Sequence, residues 1–124
     1  MYKNYKLVVL VFLLLVGCIN DKGEDSKISF GSPYGIDTRN GLPKISNDSL
    51  IIKVNYSGCT RNHSFKLEFN LTNTGAQIWL LQETPGETCE MYVEEIKSFL
   101  LPSELRNKQK INLVGPNNLS IDLK

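Results

Sequence analysis

The sequence predicts an all-β fold, a small antiparallel β-sandwich or barrel of about 6–7 strands with one internal disulfide. In residues 50–56 and 63–71, apolar and polar side chains alternate, as in strands with one face in a core and the other in water. Short apolar runs follow one another at close spacing, with Gly, Pro and Asn between them. A length of 124 residues suits one domain.

Residues 1–17 have the pattern of a cleavable export signal. Lys3 and Lys6 precede ten apolar residues at positions 7–16, and a small residue follows. Because a bilayer span needs about 20 apolar residues, this run is too short for a membrane helix. Residues 15–18, Leu-Val-Gly-Cys, resemble a lipobox, the cleavage and lipidation signal of bacterial lipoproteins. We therefore predict a lipoprotein signal peptide.

Cys18 is the predicted lipidation site and the first residue after cleavage. Two or three acyl chains on one residue hold a protein stably at a membrane, because each buried methylene adds about 0.8 kcal/mol. Ile19 follows, and in the sorting pattern that envelope lipoproteins share, a residue other than Asp there favours the outer membrane. We expect the chain in the bacterial cell envelope, on the periplasmic or surface face of the outer membrane.

The rest of the chain divides into a tether and one domain. Residues 18–27 are small, polar and charged without periodicity, which predicts a flexible tether. Residues 28–124 form the predicted β domain, beginning with loops and one short strand near 27–31. The loops extend to about residue 48 because Gly and Pro recur there.

The remaining strands are predicted from alternation and from turn residues. The linker 57–62 has the composition of a hairpin turn between the first two long strands, and 73–75 marks another turn. Further strands are predicted at 76–82, 88–93, 110–114 and 119–123.

Residues 90–101 fit two structures. Their apolar positions match a helical face as well as a strand. Because the neighbouring elements are strands, we favour a strand that ends in a bend at Pro102. A helical turn is predicted at 103–106.

Cys59 and Cys89 are an even pair once Cys18 is assigned to lipid, so we predict a disulfide between them in the oxidising envelope. A metal site formed by these cysteines with His63 is the alternative. A closed zinc site needs four ligands, and the chain has a single histidine and no further thiol, so we predict no metal.

No catalytic residues or cofactors are predicted, and we expect a protein that is not an enzyme. His63 lacks a nucleophile and an orienting partner at a recognisable spacing. The chain is also nearly neutral: without Lys3 and Lys6, 12 basic side chains would face 13 acidic ones. Such a domain lacks the basic field needed to bind nucleic acid.

Trp79, Tyr92 and His63 are the candidate binding-surface residues. Trp79 alternates with Ile78 and Leu80 along its strand, so either both faces are buried or one carries an exposed aromatic patch.

A set of residues between positions 50 and 105 follows a recognisable pattern. It comprises Tyr56 to Cys59, His63-x-Phe65-x-Leu67, Trp79 to Leu81, Cys89-Glu90 and the apolar run Phe99 to Pro102. The pattern resembles that of small uncharacterised bacterial envelope lipoproteins, which implies an envelope location and a β-rich domain but no settled activity. His63 lies one residue further from Cys59 than in that pattern, and Gln82 replaces a second histidine, which weakens any metal role.

We therefore expect a lipid-anchored, non-enzymatic binding or structural module. Its expected partners are the membrane, through the lipid, and an envelope protein or glycan. The alternative is a secreted inhibitor of an envelope-attacking enzyme of the protease or lysozyme type, because small stapled β domains present rigid loops.

Overall fold

A computed structural model describes residues 27–124 of the chain as an all-β fold of two four-stranded sheets. The predicted signal peptide, the predicted lipidation site Cys18 and residues 18–26 of the predicted tether lie outside the described residues. The elements are β1 Gly35–Asp37, β2 Lys44–Ser46, β3 Ser49–Gly58, β4 Phe65–Leu71, β5 Ala76–Gln82, β6 Met91–Leu100, α1 Ser103–Arg106, β7 Ile111–Gly115 and β8 Leu119–Asp122. Within residues 27–124, no helix has the length and apolar character needed to cross a membrane.

The first sheet is built around β3. β6 runs antiparallel along one side of β3 over all ten of its residues, from Ser49 opposite Leu100 to Gly58 opposite Met91. The short strands β1 and β2 share the other side of β3, one at each end. The last residue of β3, Gly58, therefore lies beside the first residue of β6, Met91.

The second sheet has the order β4-β5-β7-β8. Its β4–β5 and β7–β8 pairs are antiparallel, whereas β5 and β7 run parallel. The parallel pair departs from the wholly antiparallel sheet that the sequence predicts. It arises because the chain leaves the second sheet after β5, forms β6 in the first, and returns through α1.

The core lies between the two sheets and follows the predicted alternation. Leu50, Ile52 and Val54 of β3 face Ile78 and Leu80 of β5, and all five side chains are fully buried. Removing such a side chain from water stabilises the fold by roughly 1.5–3 kcal/mol, which offsets much of the entropy lost by ordering the strands. The other core residues are Tyr34, Tyr56, Ala76, Val93, Leu101, Leu105, Ile111 and Leu113.

Three predicted elements differ from the structure. Residues 57–62 are not a hairpin turn, because β3 and β4 belong to different sheets and the connection crosses between them. The strand near 27–31 is only an isolated bridge from Gly31 to Gln82, and two short strands, β1 and β2, lie where loops were expected. The predicted strand 88–93 instead runs from Met91 to Leu100.

Other local predictions are confirmed. Residues 73–75 connect β4 to β5, and 116–118 connect β7 to β8. Asn117 and Asn118 adopt positive φ angles of 61°, a conformation that asparagine tolerates better than most residues. The ambiguous segment is a strand, and the helical turn Ser103–Arg106 follows Pro102 as expected.

The predicted disulfide is present between Cys59 and Cys89, whose Cα atoms are 4.8 Å apart. Cys59 begins the connection from β3 to β4, which we call the arch (residues 59–64). Cys89 lies in the connection from β5 to β6, which we call the return linker (residues 83–90). Both connections cross between the sheets at the same end of the molecule, so the disulfide joins them where β3 ends and β6 begins.

Replacing both cysteines by serine is expected to lower the free energy of unfolding by about 3–4 kcal/mol, because the bridge spans 30 residues and restricts the unfolded chain. Urea unfolding of the wild-type and Cys59→Ser/Cys89→Ser chains measures the difference. Unchanged stability, or two free thiols in the unfolded and unreduced wild-type chain, would show that the bridge does not contribute.

Candidate functional site

His63 is the last but one residue of the arch, and its side chain is buried, with only 4% of the residue exposed. Its ring stacks on Tyr56 of β3, with the ring centroids 4.1 Å apart and the planes 21° from parallel. Gly58 makes this approach possible, because a Cβ atom there would lie 2.8 Å from both His63 Cε1 and Glu87 Oε1. The Gly-Cys sequence at the end of β3 thus leaves room for the histidine.

Gln82, at the end of β5, holds one side of the imidazole. Its Nε2 donates to the carbonyl oxygens of Ser32 and Pro33, each at 2.9 Å. Because carbonyls only accept, these two bonds fix the orientation of the amide and turn its Oε1 toward His63. His63 Nδ1 lies 2.8 Å from that oxygen and therefore donates a proton to it.

Glu87, in the return linker, holds the other side of the ring. Its Oε1 contacts His63 Nε2 and also accepts from Thr60 Oγ1 at 3.1 Å. Burial acts to raise the pKa of Glu87, but the hydrogen bonds from Thr60, His63 and the Cys59 backbone outweigh it and lower the pKa. Each of the two ring nitrogens of His63 therefore has a partner within the chain, Gln82 on one side and Glu87 on the other.

Glu95 of β6 fastens the arch to the first sheet. Its Oε2 accepts from Tyr56 Oη at 2.9 Å, and its Oε1 accepts from the backbone N–H of Asn62 at 2.6 Å. Asn62 has a φ of 61°, a conformation that asparagine tolerates at such turns. Burial acts to raise the pKa of Glu95, but these bonds and the nearby Lys97 lower it.

The network lies at the base of an open cleft of about 510 Å³. Tyr34 supports one wall, since its Oη donates to the Leu80 carbonyl at 2.6 Å. Tyr92 of β6 forms the rim, with 61% of the residue exposed. The full lining is Ser32, Pro33, Tyr34, Gly35, Asn55, Tyr56, Ser57, His63, Gln82, Pro85, Gly86, Glu87, Tyr92 and Asn117.

The structure brings two of the three candidate binding residues together and separates the third. His63 and Tyr92 both line the cleft. Trp79 lies on the outer face of the second sheet, opposite Glu68 in β4, away from the core residues Ile78 and Leu80 that flank it. Only 9% of Trp79 is exposed. Of the two alternatives for this strand, the exposed aromatic patch is wrong. Trp79 is buried on the outer face, and Ile78 and Leu80 are buried on the inner face.

Gln82, Glu87 and Tyr56 are site residues that the sequence did not single out as partners of His63. They lie 19, 24 and 7 positions from it, and only the crossing of the arch between the sheets brings them together. Among residues 27–124, no group of three or more His, Cys, Asp or Glu side chains could hold a metal ion. No protein-family model matches the chain, and comparison with curated proteins and with solved structures finds no match.

We expect Glu87→Gln to reduce stability at neutral pH but not in acid. The low pKa of Glu87 means that its ionised form stabilises the fold above the ordinary value of 4.5, and that this contribution disappears as the pH falls below it. Glutamine keeps an acceptor for His63 and Thr60 but removes the charge.

Urea unfolding at about pH 7 and about pH 3 measures this effect. The difference in free energy of unfolding between the wild-type and Glu87→Gln chains should shrink in acid. Glu90→Gln, in the same linker but exposed, is the matched control and should match the wild-type chain at both values. A constant difference across the pH range would mean that the charge of Glu87 has no role.

Proposed function

We propose that the chain is a lipid-anchored binding module of the bacterial envelope, that it is not an enzyme, and that its cleft binds an envelope protein or glycan. The observation that carries this proposal is a cleft with a rigid base and an exposed tyrosine at its rim. Each polar group at the base already has a partner within the chain, which suits a surface that recognises a ligand without changing it.

The engagement of His63 supports a role in binding over one in catalysis. A general base needs a ring nitrogen with a free lone pair within reach of the substrate. Nδ1 donates to Gln82 and Nε2 contacts Glu87 Oε1, so both nitrogens are occupied by partners within the chain. His63 therefore connects the arch to β5 through Gln82 and to the return linker through Glu87.

Rigidity favours the cleft as the binding surface. Association costs less when the surface is already ordered, because fewer side chains and loops lose freedom. The disulfide, the His63 network and the Tyr34 bond fix three of the segments that line the cleft. The exposed ring of Tyr92 then offers a flat apolar surface, with Asn55 and Ser57 on the adjacent strand to form hydrogen bonds.

The anchor completes the proposal. The lipobox-like residues 15–18 and the polar segment 18–27 would place the domain at the end of a flexible tether on the membrane. The resemblance to small envelope lipoproteins supports the same location, with the outer membrane favoured by Ile19. An anchored domain with an open cleft can search the surrounding envelope for its partner.

The exposed tip of the arch favours a second candidate, an inhibitor of an envelope-attacking enzyme. Residues 59–62 are exposed, while Cys59 and Asn62 are tied to the return linker and to β6. A loop held at both ends suits insertion into an enzyme's active site. Inhibition of lysozymes or proteases that is lost in Arg61→Ala and kept in Tyr92→Ala would favour this candidate over the cleft.

Cys18→Ser is expected to abolish acylation at residue 18, because serine cannot carry the thioether-linked lipid. Fractionation of the producing cells should find the wild-type chain with the membranes, and the variant either as a soluble chain or as an uncut precursor without lipid. Intact mass should show the wild-type chain cut before Cys18 and acylated there. An uncut and unacylated wild-type chain would contradict the anchor.

Tyr92→Ala is expected to weaken binding to envelope material by roughly tenfold, the loss of one aromatic contact of about 1–1.5 kcal/mol. Titration of the purified chain against peptidoglycan in one arm, and against solubilised envelope proteins in the other, measures the affinity. Leu71→Ala is the control, since Leu71 is 53% exposed but belongs to the second sheet. Equal affinities of all three chains in both arms would argue against the cleft.

A further inference from the structure

β6 is a long strand with one unpaired side. All ten of its residues pair with β3, and within the part of the chain that the structure describes no strand pairs with its other side. A long edge strand presents a row of free N–H and C=O groups that can pair with a strand of another chain. Proteins usually protect such an edge, so an open one of this length calls for an explanation.

The outer face of β6 carries three large exposed side chains at regular spacing. Tyr92, Ile96 and Leu100 all lie on this face, every fourth residue, and both Ile96 and Leu100 are 66% exposed. Ile51 of β3 lies beside them, opposite Ser98. Glu94 and Ser98 separate Tyr92, Ile96 and Leu100 on this face, and we call these three residues the apolar stripe. Large exposed apolar side chains along an unpaired edge are typical of a protein interface rather than of a solvated surface.

The inner face of β6 carries charges near its middle. Glu95 and Lys97 point between the sheets, where Lys97 Nζ lies 3.4 Å from a Glu95 oxygen. Inward-pointing charges on an edge strand hinder pairing with an arbitrary strand. They permit pairing only where the partner places opposite charges beside them.

We propose that the chain forms a homodimer in which β6 pairs with β6 of a second copy, antiparallel, about a two-fold axis that passes beside Ile96. The eight strands of the two paired sheets then form one continuous sheet. This inference does not depend on what the cleft binds.

Symmetry and charge together select this register. Residues directly opposite each other in an antiparallel pair point to the same face of the sheet, so the axis must pass beside a residue that faces its own copy. At Glu94, Glu95 or Lys97 the axis would place like charges against each other, which is destabilising. With the axis at Val93 the strands would overlap only from Met91 to Glu95, and with the axis at Ser98 only from Ile96 to Leu100; positions nearer either end of β6 would overlap less.

The axis at Ile96 satisfies every pair. The strands overlap from Tyr92 to Leu100, and Ile96 meets its own copy. Tyr92 faces the partner's Leu100, which joins the ends of the apolar stripe, and Glu95 faces the partner's Lys97 with opposite charge. Because the axis is perpendicular to the sheet, both outer faces, and the Tyr92 rims on them, point to the same side of the dimer.

Disulfide trapping in the natively produced, full-length protein tests the register. In Ile96→Cys the two new thiols would lie across the axis, where opposite Cα atoms are about 4.5–5.5 Å apart, within the reach of a disulfide. We expect most of this variant to migrate as a disulfide-linked dimer under non-reducing conditions. Leu100→Cys is the matched control, equally exposed on the same face. In the dimer its two thiols would be about 27 Å apart, so this variant should migrate as a monomer under those conditions.

Two further measurements complete the test. Co-production of Tyr92→Cys and Leu100→Cys chains should restore the cross-linked dimer. The purified full-length wild-type chain should have a dimer's mass by light scattering in detergent, whereas Ile96→Lys should be monomeric because it places two positive charges at the axis. Equal cross-linking of Ile96→Cys and Leu100→Cys, or no cross-linking of Ile96→Cys with a monomeric wild-type chain, would overturn the proposal.

Discussion

A buried imidazole must satisfy two ring nitrogens, and the way this chain does so determines how one end of the sandwich closes. His63 bonds to Gln82 at the end of β5 and to Glu87 in the return linker, while its ring packs on Tyr56 of β3. Leaving either nitrogen without a partner would cost roughly 1–3 kcal/mol. The two connections that cross between the sheets are therefore coupled through one side chain as well as through the Cys59–Cys89 bridge.

Alternation along the sequence predicted which faces of the strands are buried, but it does not specify which strands are neighbours. Leu50, Ile52 and Val54 point inward as expected because a pleated strand has a period of two. The same alternation holds whether β3 turns back on itself or crosses to another sheet, so the arch was wrongly predicted as a hairpin turn. The short strands β1 and β2 were missed because three residues carry too little alternation to detect.

The site was less predictable than the core for a related physical reason. The cysteine pair was predicted by counting thiols and expecting an oxidising compartment, whereas polar partners such as Gln82 and Glu87 carry no periodic signal. Their roles depend on where two crossing connections bring them, and residues 19 and 24 positions apart meet only after both sheets have formed. For Trp79 the sequence left two alternatives, a strand buried on both faces or an exposed aromatic patch, and only the burial of Trp79 in the structure decided between them.

β6 combines three roles because a strand has two faces and an edge. Glu95 on the inner face holds the arch, Tyr92 on the outer face forms the rim of the cleft, and the backbone edge pairs with no other strand of residues 27–124. These roles use different atoms, so a second strand can pair with the edge without displacing either side chain. The proposed pairing would add the partner's Lys97 and Glu95 beside Glu95 and Lys97 on the side that β3 leaves unpaired, and these are the residues that hold β6 against the arch and Phe65. Pairing at the edge and order in the cleft should therefore reinforce each other.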